Sequence, residues 1–220
     1  MMGIDCPDYH PVRRNYMHIL QINKDNPQQR LIEQAVEVLR QGGVVAYPTD
    51  TVYGIGCDIF NQKAVKRIYQ IKKRDKEKPF SFICADLKDV SLYCYLSNTA
   101  YKLMKKSLPG PYTFVLPAMK IVPKIMMTKQ KTVGIRVPDN TICQYLVNTL
   151  GNPLLTTTAS RDDLSIPRDA YDVANNLGNV IDVIIDSPCS PPEPSSVISL
   201  ISDIPEILRF GKGDTGEFLR

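Results

Sequence analysis

Short apolar runs alternate with amphipathic stretches along this chain, and the alternation predicts the α/β class, built around a twisted sheet. Apolar residues at helical spacing predict helices over 27–41, 64–71, 98–107 and 142–150, with Asn26 as the N-cap of the first helix. The predicted strands cover residues 17–22, 44–47, 80–84, 113–116, 131–137, 154–159, 180–185, 196–201 and 207–210.

The sequence VVAYPTDTVYGIG, residues 44–56, is the stretch around which we expect the chain to be organised. Pro48 should end the first buried strand, because proline lacks a backbone donor. Residues 49–53 then carry hydroxyls and a carboxylate on a predicted loop, and Gly54 and Gly56 let a ligand or another backbone approach closely. The alternative interpretation is an ordinary hydrophilic turn.

Charge is distributed unevenly along the chain, although the net charge is only +4. Residues 63–138 hold 17 Lys and Arg against 4 Asp and Glu, or +13, and the remaining residues hold 10 against 19, or −9. A basic segment gathered on one face would concentrate phosphates of a nucleotide or of RNA. Alternatively, these lysines coat solvated helices.

The residue types present exclude several kinds of chemistry. The two histidines precede the first predicted helix, and the chain has no zinc-ligand spacing, no GxxxxGK[ST] and no GxGxxG. The six cysteines form no CxxC pair and are expected to be reduced and mostly buried. Lysines, arginines, hydroxyls and loop backbone remain, and these suit reactions driven by positioning and charge neutralisation, such as nucleotidyl transfer.

Length and hydropathy predict one domain without a membrane association. A chain of 220 residues that is 43% hydrophobic buries a substantial core as one unit. We expect an appendage over residues 1–16, one domain over 17–213 and a tail over 214–220. Neither a leader nor an apolar run of about 18 residues is visible, so a cytoplasmic protein is expected.

Seven motifs follow one another along the chain: PTDTVYGIG, Lys72-x-Arg74 followed by Lys78-Pro79, GPYTFVL from Gly110, TVGIRVP from Thr132, TTTAS from Thr156, SSVI from Ser195 and ILRFGKG from Ile207. This is the order seen in the YrdC-like threonylcarbamoyl-AMP synthases, which the chain resembles from residue 17 to residue 213. The resemblance implies an open, twisted, mixed sheet with a basic concave cavity.

The resemblance also implies a reaction and its partners. Family members combine L-threonine, bicarbonate and ATP into threonylcarbamoyl-AMP and pyrophosphate, and Mg²⁺ enters on the ATP phosphates rather than in a protein-bound metal site. Transferase proteins then move the threonylcarbamoyl group to tRNA. A nucleotidyltransferase of this kind is therefore the first hypothesis.

Individual site residues follow from the matched motifs. The resemblance places Thr51, Arg136, Thr158 and Ser195 at threonine, and Lys72, Arg74, Lys78, Thr132, Ser160 and Arg209 at the nucleotide, with Lys72 and Arg74 as catalytic residues. Each has a structural alternative: Lys72 and Arg74 suit a helix C-terminus, and the threonines suit an ordinary strand. Arg136 could pair with Asp139 or a C-terminal acid, and Arg209 could close a surface salt bridge.

Three departures from the synthase pattern point toward the YciO-like branch of the family. Ser160 stands where synthases commonly carry asparagine, Asp75 follows Arg74 in place of proline, and Ile83 occupies a position that commonly supplies a histidine. The second hypothesis is therefore a non-catalytic relative that binds double-stranded RNA or tRNA in translation or ribosome maturation. A hydrolase acting on a related carbamoyl compound is a third and weaker hypothesis.

Overall fold

The computed structural model describes residues 18–73, 80–161, 166–189 and 191–219, in which ten strands form a mixed sheet. The strands are β1 His18–Gln21, β2 Val45–Tyr47, β3 Gly54–Gly56, β4 Ser81–Ile83, β5 Tyr112–Pro117, β6 Thr132–Arg136, β7 Leu154–Thr158, β8 Val183–Asp186, β9 Ser196–Ser199 and β10 Glu206–Arg209. The helices are α1 Gln29–Arg40, α2 Gln62–Ile71, α3 Leu87–Tyr93, α4 Asn98–Ser107, α5 Thr141–Leu150 and α6 Ala170–Leu177, with single 3₁₀ turns at Lys124–Met126 and Gly216–Phe218.

The strand order is β1-β8-β2-β3-β7-β4-β6-β5-β9-β10. Strands β1, β8 and β2 run parallel to one another, as do β4 with β6 and β5 with β9, and the other neighbours are antiparallel. The sequence predicted the α/β class and nine of these strands. It missed β3, α3 and α6.

Helices cover the two faces of the sheet unequally. Successive residues of a strand point to opposite faces, so Ala46, Phe82 and Ile135 pack against α2, α3, α4 and α6 in one apolar cluster. On the other face, residues of α1 and α5 pack on Tyr47, Ile83 and other residues of β2, β4, β7 and β8. This second cluster includes no residue of β5, β6 or β9. One half of that face therefore has no apolar cover in the described part of the chain.

Side-chain caps set the starts of most helices. Asn61, Asp86, Ser97, Asn140 and Asp169 each accept a hydrogen bond from a backbone N–H in the first turn of the helix that follows. These caps satisfy donors that would otherwise have no intrahelical partner.

Asn26 is not the N-cap of α1, contrary to the sequence prediction. The Asn23 side chain accepts hydrogen bonds from Asp25 N and Asn26 N, which closes a turn ahead of the helix. Leu31 N and Ile32 N both donate to the carbonyl of Gln28. The helix therefore begins two residues later than the predicted first residue, Pro27, and Gln28 is its N-cap.

The predicted loop after Pro48 is shorter than expected, because residues 54–56 re-enter the sheet as β3. This strand pairs with β2 on one side and β7 on the other. A Cβ atom on Gly56 would lie 2.2 Å from the carbonyl oxygen of Leu155 and 2.8 Å from the Tyr47 hydroxyl. The close approach of another group explains why residue 56 is a glycine, and that group is the backbone of the neighbouring strand β7.

The predicted appendage over residues 1–16 lies outside the described residues, and the domain limits stay predictions. Near the C-terminus, Phe218 is buried and packs on the rings of Tyr112 and Phe114. No helix in the described ranges combines the length and the apolar character needed to cross a bilayer.

We predict that Gly56→Ala destabilises the protein by about 2 kcal/mol or more, because β7 must shift to admit the new methyl group. Gly54→Ala is the matched control in the same strand, since its Cβ would meet its nearest atoms at 3.2 Å or more. Urea unfolding of both variants measures the difference in the free energy of unfolding. Equal stability of the two variants would contradict the close approach of β7 to Gly56.

Candidate functional site

The half of the sheet that α1 and α5 leave uncovered is lined with polar side chains. Residues 133 and 135 of β6 point into the opposite apolar cluster, so 132, 134 and 136 point to this face. The same alternation applies to β4, β5 and β7. The polar residues on this polar half-face are Ser81, Thr113, Thr132, Arg136, Thr156 and Thr158, and Gly134 and Val115 lie among them.

Residues 48–53 form a loop that the hydroxyl of Thr49 holds in shape. Thr49 Oγ1 accepts from Thr51 N and Val52 N, and it donates to the carbonyl of Val52 at 2.7 Å. Because a hydroxyl has one proton, Thr51 Oγ1 is the donor in the 3.0 Å contact between the two hydroxyls. A lone pair of Thr51 Oγ1 is thereby turned toward other partners.

Arg136 is the partner of that lone pair. Its Nη2 donates to Thr51 Oγ1 at 2.8 Å and to Asp50 Oδ1 at 2.9 Å, and Arg136 is only 7% exposed. Its Nε is buried and finds no hydrogen-bond partner among the described residues. A buried guanidinium with unused donors, next to a hydroxyl, is suited to hold a carboxylate.

Lys72 is also buried, at 8% exposure, directly after α2. Its Nζ donates to the carbonyl oxygens of Ser160 at 2.6 Å and Thr158 at 3.2 Å. Lys72 thus binds the end of β7 rather than the C-terminal carbonyls of its own helix. Thr158 pairs with Gly54, which is three residues after Thr51. The contacts of the two buried cations are therefore separated by three residues of β3 and its preceding loop plus one strand spacing, about 16 Å at most.

Other predicted residues form two further contacts. Arg209 donates from Nε and Nη2 to the carbonyl of Ser195, and Ser195 Oγ lies 2.8 Å from Thr113 Oγ1. Arg209 therefore holds the residue that directly precedes β9. Thr132 is buried, and its hydroxyl lies 2.7 Å from Thr128 Oγ1. Arg74 and Lys78 lie outside the described residues.

The acid that pairs with Arg136 is Asp50, which was missed, since the sequence offered Asp139 or a C-terminal acid as the alternative partner. Asp139 does take part, because its backbone N–H donates to Asp50 Oδ2 at 3.1 Å. Lys212 was also missed; its Nζ donates to the carbonyl of Asp50 at 2.6 Å. Asp50 stands within the motif PTDT, so the acid next to Thr51 was the available signal.

A cavity of about 460 Å³ adjoins this loop. Asp50, Asn140, Cys189 and Lys212 are among the residues that line it. In the described part of the chain, no three His, Cys, Asp or Glu side chains are grouped so that they could hold a metal ion.

Four of the cysteine thiols are deeply buried and do not suit a role as nucleophiles. Burial raises the pKa of the thiols of Cys57, Cys84 and Cys143, and it raises the pKa of Cys94 to about 12. At Cys143, the nearby carboxylate of Asp50 adds to this effect and Arg136 opposes it. Since the thiolate is the reactive form, these thiols are inert near neutral pH.

Fold and site together define an α/β protein with a polar half-face at which buried cations can meet anionic groups. The family model Sua5_yciO_yrdC, described as "Telomere recombination", matches residues 37–211. The chain belongs to this family, which confirms the resemblance seen in the sequence. The mixed sheet that the resemblance implies is confirmed as well, and the basic cavity stays a prediction.

Relatives occur in both branches of the family. YciO of Escherichia coli is 41% identical over 200 residues, 90% of this chain and 97% of YciO. Its crystal structure matches with a TM-score of 0.87, covering 92% of this chain and 99% of that one. A threonylcarbamoyl-AMP synthase of Coxiella burnetii is 37% identical over 161 residues, 73% of this chain and 87% of the synthase.

A third relative has been solved with a ligand. The crystal structure of P. abyssi Sua5 complexed with L-threonine matches with a TM-score of 0.83 and 30% identity. The match covers 88% of this chain and 57% of the Sua5 chain.

We predict that iodoacetamide at pH 8 labels Cys189 well before Cys57, Cys84, Cys94 and Cys143 in the folded protein. A pKa of about 12 leaves roughly one Cys94 thiol in ten thousand ionised at that pH, whereas Cys189 is only partly buried. Peptide mass spectrometry measures the labelling, with urea-unfolded protein as the control in which all five react. Labelling of native Cys143 as fast as Cys189 would contradict the burial described above.

Proposed function

We propose that this protein forms threonylcarbamoyl-AMP and pyrophosphate from L-threonine, bicarbonate and ATP. The observation that carries the proposal is the buried guanidinium of Arg136, which touches Thr51 and keeps its Nε unpaired in the described chain. Such a group binds the carboxylate of a small amino acid strongly, because the surroundings are shielded from water. The synthase and the threonine-bound Sua5 among the relatives support this choice of substrate.

The reaction needs positioning more than it needs a strong acid or base. The threonine amine joins the carbon of bicarbonate with loss of water, and an oxygen of the resulting carbamate attacks the α-phosphorus of ATP. The bond from that phosphorus to the bridging oxygen of the β-phosphate breaks, and pyrophosphate leaves. Mg²⁺ arrives with ATP and takes part of the leaving charge.

The nucleotide half of the proposal involves Lys72 and the end of β7. The ammonium of Lys72 fixes the carbonyls of Thr158 and Ser160, and its positive charge is buried beside Ser160, which is fully buried. A positive charge held in a site of low dielectric favours a phosphate nearby. Arg74, Lys78, Thr132 and Arg209 stay predicted nucleotide contacts, and Thr158 and Ser195 stay predicted threonine contacts.

We predict that purified protein releases pyrophosphate from Mg-ATP only when L-threonine and bicarbonate are both present. Lys72→Met should lower kcat/KM for ATP by about 100-fold, as expected when a preorganised charged donor is removed. Lys66→Met is the matched control, because this lysine lies exposed on the same helix. A coupled pyrophosphate assay measures the rates, and mass spectrometry identifies threonylcarbamoyl-AMP.

Two results would contradict this function. One is the absence of pyrophosphate release by the wild-type protein with all three substrates present. The other is an equal loss of activity in the Lys66 and Lys72 variants. That result would show that the activity does not depend specifically on the buried charge of Lys72.

A second candidate function, RNA binding, is favoured by the exposed lysines of the basic segment. Apart from Lys72, the lysines described in residues 63–138 are exposed to solvent. They are Lys63, Lys66, Lys73, Lys88, Lys102, Lys105, Lys106, Lys120, Lys124, Lys129 and Lys131. An exposed ammonium contacts a backbone phosphate without reading sequence.

If these lysines bind double-stranded RNA or tRNA, affinity should fall by at least about 10-fold between about 50 and 200 mM salt, because counterions are released on binding. Fluorescence anisotropy with a labelled RNA duplex and a labelled tRNA measures this dependence. The double variant Lys105→Gln with Lys106→Gln should flatten the slope. Failure of both RNAs to bind at low salt would exclude this function.

A further inference from the structure

Asp50 and Arg136 form a buried ion pair inside the candidate site. Both side chains are 9% exposed, and the Oδ1–Nη2 distance is 2.9 Å. An arginine that must bind a ligand is therefore already engaged by an acid of its own chain. This arrangement raises the question of which contact an incoming carboxylate would replace.

The hydrogen-bond donors of Arg136 limit which contact an incoming carboxylate can replace. Both hydrogens of Nη2 are used, one by Asp50 Oδ1 and one by Thr51 Oγ1. A two-point contact between a guanidinium and a carboxylate uses either Nη1 with Nη2 or Nε with Nη2. Each of these modes needs a hydrogen of Nη2, so a carboxylate that binds Arg136 at two points must displace either Asp50 or Thr51.

Asp50 is fixed more firmly than Thr51. Its Oδ2 accepts from Asp139 N, and its carbonyl accepts from Lys212 Nζ, so three segments hold the residue. Its bond to Arg136 joins two charges, and such bonds are roughly twice as strong as neutral ones. The Thr51 hydroxyl is neutral and keeps its contact with Thr49 Oγ1 when it releases Arg136. An incoming carboxylate therefore displaces Thr51, rather than Asp50, from Arg136 Nη2.

We propose that Asp50 is a positioning residue, which holds the Arg136 guanidinium in the orientation that receives the substrate carboxylate. The carboxylate takes over the Nη2 hydrogen that Thr51 now accepts, and Thr51 Oγ1 is left free to bond to the ligand. The proposal rests on the proposed function, because it takes the ligand to be an amino acid whose carboxylate meets Arg136.

A different role for Asp50 would produce the opposite result. If Asp50 were only an internal competitor for Arg136, removal of its charge would strengthen threonine binding. Under the present proposal the same change weakens binding, because the guanidinium loses its fixed orientation. The sign of the change in affinity therefore separates the two roles.

The test compares Asp50→Asn with Asp182→Asn. Asp182 is a matched control, since it also forms a two-point pair with an arginine, Arg67, and binds the N–H of Val44 ahead of β2. Isothermal titration calorimetry measures the Kd of L-threonine and, separately, the Kd of a non-hydrolysable Mg-ATP analogue. Thermal unfolding reports the stability of each variant.

We expect Asp50→Asn to weaken L-threonine binding by at least about 10-fold and to change the Kd of the ATP analogue by less than about 2-fold. Asp182→Asn should lower stability and leave both constants unchanged. Asp50→Glu restores the charge on a longer side chain and should recover part of the threonine affinity. If Asp50→Asn does not fold, Lys212→Met tests the same residue, and threonine binding should again weaken without an effect on the ATP analogue.

Three outcomes would overturn the inference. Unchanged or tighter threonine binding by Asp50→Asn would refute the positioning role and leave the proposed function intact. Equal weakening of threonine and ATP-analogue binding would show that Asp50 supports the structure in general and does not position Arg136 for threonine. Failure of the wild-type protein to bind L-threonine at all would remove the proposed function and this inference together.

Discussion

Burial of the Arg136 charge is the constraint on which the candidate site depends. A guanidinium at 7% exposure loses most of its hydration, so it must be paired and hydrogen-bonded within the protein. Asp50 and Thr51 supply those partners from a loop 86 and 85 residues earlier in the chain, respectively. The loop can reach Arg136 because Pro48 ends β2 and Thr49 closes the turn. The ion pair therefore forms only when the loop adopts this conformation, and the two make up one structural unit.

The unequal covering of the sheet gives this unit a place to meet a ligand. Four helices bury one face, whereas α1 and α5 bury only part of the other. Strand alternation continues into the uncovered part, where threonines, a serine and Arg136 point to the face on which the covered part carries apolar residues. The same strands thus supply the core on one side and the polar half-face on the other.

The parts of this structure that sequence could predict are those that depend on neighbouring residues. Apolar runs located nine strands, and spacing located four helices, whereas β3 has the sequence Gly-Ile-Gly and gives no periodic signal. The partner of Arg136 could not be assigned, because the pairing depends on a loop that returns over the sheet. Lys72 was placed at a helix end correctly, but its contacts with β7 arise from tertiary packing.

One departure from the synthase pattern, Ile83, lies directly beside Arg136. Ile83 pairs in register with Arg136, is 1% exposed and belongs to the apolar cluster under α1 and α5. A polar contact common in synthases is therefore replaced by an apolar flank beside the guanidinium. An apolar flank lowers the local dielectric, which strengthens the remaining charge–charge contacts while it removes a directional donor. Under the proposed function, recognition of the substrate carboxylate would then depend more on the Asp50–Arg136 pair than it does where a histidine shares the task.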